Sequence, residues 1–189
     1  MSELSVGALS GLAANSYVID VASGSQLTQP GMILQVVSTT KTDTFSASVG
    51  ARPTISGAVT GLSATITPTS ASSKILVFGS ITGSAGTVGL VHYHLFRDGS
   101  ASAYTADPAG NRQVSASGRL FAESDANLAA YSLTFLDTAN STSATTYDFR
   151  ISHDKTTTST VYVNRSVNDV DQNNLGRGAS SITLMEVAG

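Results

Sequence analysis

The stretch from Val59 to Ile81 constrains the fold more than any other part of the chain. Leu62, Ala64 and Ile66 alternate there with Ser63, Thr65 and Thr67. Successive side chains of a strand point to opposite faces, so this segment reads as a strand with one apolar and one hydroxylated face. Pro68 ends it, having no N–H for a ladder. Thr69 to Ser73 are loop formers, and Lys74-Ile75-Leu76-Val77-Phe78 then begins a second strand without a polar break. That is the pattern of a strand buried on both faces. A half-buried strand beside a fully buried one predicts a two-layer β-sandwich.

The rest of the chain agrees. Gly31 to Thr39, Leu90 to Arg97, Gln113 to Phe121, Tyr131 to Asp137, Thr145 to His153, Ser159 to Asn164 and Ser180 to Val187 read as strands. Asp98-Gly99 is a hairpin signal answered by Ala101 to Tyr104. Thr40 to Ala51 reads as a polar loop or ragged strand, and Glu123 to Ala129 as a single helical turn. The Gly- and Ser-rich run from Thr82 to Gly89 is expected to be a flexible loop. Ser166 to Gly178, rich in Asn and Asp, is the longest late loop. Some 9–10 strands with turns between them predict an all-β chain, an antiparallel, jelly-roll-like sandwich over residues 31–189. Met1 to Pro30 read as an arm. Leu4, Val6, Leu9, Leu12 and Tyr17 make it apolar, while Gly7, Gly11 and Gly24 break any helix. Such an arm packs on its own domain, a sister subunit or another protein.

Composition removes several functions. With no cysteine there is no disulfide framework and no thiolate chemistry. Charged residues are 12% of the chain, so the polar surface is mostly Ser, Thr, Asn and Gly, which suits a protein covered by neighbours in an assembly. A net charge of −3 argues against affinity for nucleic acid, which needs clustered Lys and Arg. No apolar run is long enough to insert in a membrane as a helix. The N-terminus lacks the basic region of a secretory signal, so synthesis in a cytoplasm is expected.

A few constellations could carry chemistry, and each has a plainer account. His92 and His94 share one strand face and would need a third ligand to hold a metal; packing with Phe96 is the plainer account. Asn168, Asp169, Asp171 and Asn173 offer oxygens in the late loop, as a surface-recognition loop or a solvated turn. They lack the glycine and distal glutamate of an EF-hand. There is no G-x-S-x-G elbow, no pairing of a given Ser with a given His, and no placed carboxylate pair, so no enzymatic activity and no cofactor are expected. Tyr93, Tyr104, Tyr131, Tyr147 and Tyr162 could line a sugar groove, or pack half-buried with wet hydroxyls.

Four pieces are familiar in combination: G-M-I-L-Q-V-V-S-T-T-K-T-D-T-F at Gly31 to Phe45, G-L-S-A-T-I-T-P-T-S-A-S-S-K-I-L-V at Gly61 to Val77, S-L-T-F-L-D-T at Ser132 with S-A-T-T-Y at Ser143, and S-S-I-T-L-M-E-V-A at Ser180 to Ala188. In this order they resemble a β-sandwich domain of structural proteins of tailed bacteriophages, cyanophages among them. The resemblance implies a homotrimer on the virion, either a knob on the head or the tip of a fibre or spike. About thirty residues precede the domain, too few for a shaft, since fully extended they reach at most ~100 Å. The expectation is therefore a decoration or cement protein on the outer surface of the capsid, made in the host bacterial cytoplasm and bridging major capsid protein subunits through the arm. The alternative is a distal receptor-binding domain that adheres to host surface glycans.

Overall fold

A computed structural model describes residues 29–86, 89–101, 104–118, 120–122 and 124–189. Leu4, Val6, Leu9, Leu12 and Tyr17 of the arm lie outside the described residues. In chain order the strands are β1 (Ile33–Lys41), β2 (Phe45–Val49), β3 (Ser63–Ile66), β4 (Lys74–Ala85), β5 (Gly89–Arg97), β6 (Ser100–Ala101), β7 (Leu120–Ala122), β8 (Ala129–Thr138), β9 (Thr145–His153), β10 (Ser159–Val163) and β11 (Ser180–Val187). All pairings between them are antiparallel.

Two sheets pack face to face. The larger runs β1-β11-β4-β10-β2, with β8 on the opposite edge of β4. The smaller runs β3-β9-β5, with β6 and β7 both paired to β5. The core between them is made by the inward halves of the alternating patterns: Leu62 and Ile66 of the β3 region, Ile75 and Val77 of β4, Phe149 and Ile151 of β9, and Ile182 and Leu184 of β11. The all-β sandwich expected from the sequence is the fold that forms.

Several local expectations differ. Thr82 to Ala85 are strand, not loop, as β4 runs on to pair with β10. Its glycines are required by close approach: a Cβ on Gly79 would meet the Phe149 ring at 2.5 Å, and one on Gly83 would meet the Tyr162 carbonyl oxygen. Read from sequence alone, those glycines look like breakers. Gln113 to Phe121 is strand only from Leu120. The part before it runs along the open edge of β5, where Ala116 N–H donates to the Tyr93 carbonyl and the Ser117 hydroxyl accepts from Tyr93 N–H. Finally, β4 is not buried on both faces. Phe78 is 39% exposed and Leu76 half-buried, because among the described residues no third layer covers the outer side of the larger sheet.

Candidate functional site

The register of the larger sheet lines up its outward aliphatics. Val36 of β1 lies opposite Met185 of β11, Met185 opposite Leu76 of β4, and Leu76 opposite Leu136 of β8. They form one row across four neighbouring strands. Two residues along, Phe78 stands between Thr183 and Thr134. Two further along, the row is Ser181, Ser80 and Ser132. Apolar character thus gives way to hydroxyls along the same face. Lys74 carries a charge at the apolar end, where its ammonium donates to Thr138 Oγ1 at 3.3 Å. Val36 is 55% and Leu136 56% exposed. Fully burying such a side chain is worth about 1.5–3 kcal/mol. Contiguous apolar patches on a monomer's surface are often functional.

The outer side of the smaller sheet is polar and largely covered. His92 and His94 of β5 face Ser152 and Arg150 of β9. His94 Nε2 lies 2.8 Å from Ser152 Oγ, and Gln113 Nε2 donates to that same oxygen at 2.6 Å. The sequence pairs no serine with a histidine; the fold does so here. Ser152 is wholly buried, and its hydroxyl already serves both neighbours. Burial, with repulsion from His92, lowers the His94 pKa to about 4, so the ring is neutral at pH 7. His92 Nδ1 lies 3.4 Å from Ser115 Oγ. Arg150 stacks on the Phe96 ring at 3.9 Å and pairs with Asp148 at 2.9 Å. Among the described residues no group of three His, Cys, Asp or Glu side chains is arranged to hold a metal ion.

Beside this network opens a cleft of about 880 Å³. Arg52 and Pro53 form one wall, Asn111, Arg112 and Gln113 another, and His92 and Asp154 complete it. Arg52 is held by its backbone N–H on Lys155 O at 2.9 Å and by its guanidinium on Asp154 O at 3.1 Å. Arg112 donates from backbone and side chain to Ala109 O, each at 3.3 Å.

In the late loop, Asn168, Asp171 and Asn173 are exposed. Asp169 is not, its carboxylate being gripped by Arg177 at 2.7 Å and Arg165 at 3.4 Å. The tyrosines do not form one groove. Tyr93 is buried and donates to Ala129 O, Tyr147 is buried on Asp137, and Tyr131 donates to Ala116 O. Tyr162 lies under the Arg165 guanidinium. The cleft went unnoticed in the sequence. Sequence offers only a weak signal for it: Arg52 and Arg112 have no acidic residue within four positions, but neither does Arg177, which the fold pairs with Asp169.

No protein-family model matches the chain, and no curated protein matches it.

Proposed function

We propose that the protein is a structural component of a tailed-phage virion, a trimeric decoration or cement protein on the outer capsid surface. The observation that carries this reading is the row Val36, Met185, Leu76 and Leu136, with Phe78 beside it, on a face whose other side chains are mostly hydroxyls. A strand apolar on both sides gains stability when both are covered, and the sandwich covers one. A nearly uncharged sheet face suits protein as the cover, and copies of the same chain meet through it. The arm, with Leu4, Val6, Leu9, Leu12 and Tyr17, and the exposed late loop then reach several major capsid subunits. Weak contacts made together by one rigid trimer act as a single strong one through effective concentration. Such bridging resists the outward pressure of packaged DNA.

Immunogold labelling of intact particles tests the reading. Label over the whole head is the expected result. Label confined to the tail would move the protein to a receptor-binding tip, and no label on particles would end the virion reading. Deleting Met1 to Ser23 is expected to abolish head binding by the folded trimer. If the truncated trimer decorates heads normally, the arm has no such role.

A further inference from the structure

We infer that the cleft beside the smaller sheet binds an acidic saccharide, one oxyanion of which is bridged by Arg52 and Arg112. Six arginines are among the described residues. Arg97 holds Asp137 at 2.9 Å, Arg150 holds Asp148 at 2.9 Å, and Arg165 and Arg177 share Asp169. The remaining two, Arg52 and Arg112, have no carboxylate partner among the described residues, and both line this one cleft. In a chain of net charge −3, that brings two guanidiniums together in one cleft.

Both guanidiniums are positioned before any ligand arrives. Each bond they make goes to a backbone carbonyl, on Asp154 O and Ala109 O, and commits only a small part of the donor set. A guanidinium fixed in this way loses less freedom on binding, and its planar fork matches a carboxylate or sulfate edge. The rest of the wall suits a sugar. Asn111 and Gln113 present amides to hydroxyls, and Pro53 presents an apolar ring face. The volume of about 880 Å³ is within the range of ligand sites.

Asp154 narrows the ligand class. Its Oδ1 accepts from Leu90 N–H at 3.2 Å, and the carboxylate belongs to the cleft wall. It tempers the positive charge of the two guanidiniums. One oxyanion on an otherwise neutral ring system fits such a site. A polyphosphate backbone, which wants a track of cations, does not.

The test is titration calorimetry on the full chain with four probes: a neutral oligosaccharide bearing a single galacturonate, one of equal length bearing a single sulfate, a neutral glucose oligosaccharide and inorganic phosphate. An acidic oligosaccharide is expected to bind, and whether the carboxylated or the sulfated one binds more tightly identifies the oxyanion. Arg52→Ala and Arg112→Ala should each weaken binding at least tenfold. Arg52→Lys should recover only part, since it keeps the charge and loses the fork. Arg177→Ala, whose arginine belongs to the late loop, should bind as the parent does. Three results would each overturn the assignment: no binding by either acidic oligosaccharide, equal binding by the neutral one, or alanine variants that melt like the parent and bind like it. Phosphate binding as tightly as the oligosaccharide would also overturn it, because the sugar would then contribute nothing. Particle labelling is an independent readout, so failure here leaves the decoration role standing, and the reverse.

Discussion

Asn164 is wholly buried and adopts φ +60°, a left-handed conformation that Asn tolerates better than most residues. Its Nδ2 donates to Lys41 O at 2.8 Å and Asp43 O at 3.0 Å, and its Oδ1 accepts from Ser180 Oγ at 2.6 Å. One side chain therefore ties the β1–β2 turn to the end of β10 and the start of β11. Asn164→Ala strands those groups away from water and should lower unfolding free energy by about 3 kcal/mol in urea titrations. Asn164→Gly relieves the backbone conformation yet loses the same bonds, so it should cost nearly as much. His94 makes a different prediction. Its pKa is about 4 in the fold, chiefly through burial, against ~6.5 in an unfolded chain. Between those values the unfolded state binds more protons. Stability should therefore fall as pH drops from about 6.5 to about 4, at up to ~1.4 kcal/mol per pH unit, and His94→Gln should flatten that slope. Glu186 is also wholly buried. Burial alone would raise its pKa, but the bonds from Gln35 at 2.6 Å and from Thr69 N–H and Oγ1 at 2.7 Å outweigh it and hold the carboxyl low. It anchors the turn that follows Pro68.

At the scale of elements, β4 is the strand on which the larger sheet depends. It pairs with β8 along one edge and with β11 and then β10 along the other. Gly79→Ala and Gly83→Ala should each cost about 2–3 kcal/mol, visible as lower melting temperatures, because the new methyl meets the Phe149 ring or the Tyr162 backbone. These same glycines limited what the sequence could reveal. Strands with a clean period of two, such as β3, β8 and β9, were legible, since alternation is itself the physical requirement for packing one face. The second half of β4 was not, because a glycine needed for close contact and a glycine in a flexible loop look alike in one dimension. Gln113 to Ser117 failed for the converse reason: it is held by a mixture of backbone and side-chain bonds to β5 and β9, which leaves no periodicity. The candidate surfaces divide the same way. The outward aliphatics could be counted in the sequence, but their alignment into a row depends on register. The cleft depends on which arginines find carboxylates, and that is decided by the fold.

For the whole molecule, the two candidate surfaces lie on opposite sides of the sandwich, the aliphatic row outside the larger sheet and the cleft outside the smaller one. Assembly through one leaves the other facing away. Leu136→Asp combined with Val36→Asp should weaken self-association at least tenfold in sedimentation equilibrium. The melting temperature of the isolated subunit should change little, since both side chains already face outward. Unchanged association would show that the row is not the contact between copies.

The pairing of β1 with β11 has a consequence for biosynthesis. Gln35 and Glu186, bonded across that pair, are 151 positions apart. At roughly 5–20 residues per second, a ribosome needs about 8–30 s to deliver the second after the first. Until then β1 has no partner on its β11 side, and the edge of β4 that receives β11 is open. Closure of the larger sheet therefore waits on the last strand, β11, and cannot be completed while the chain is only partly made.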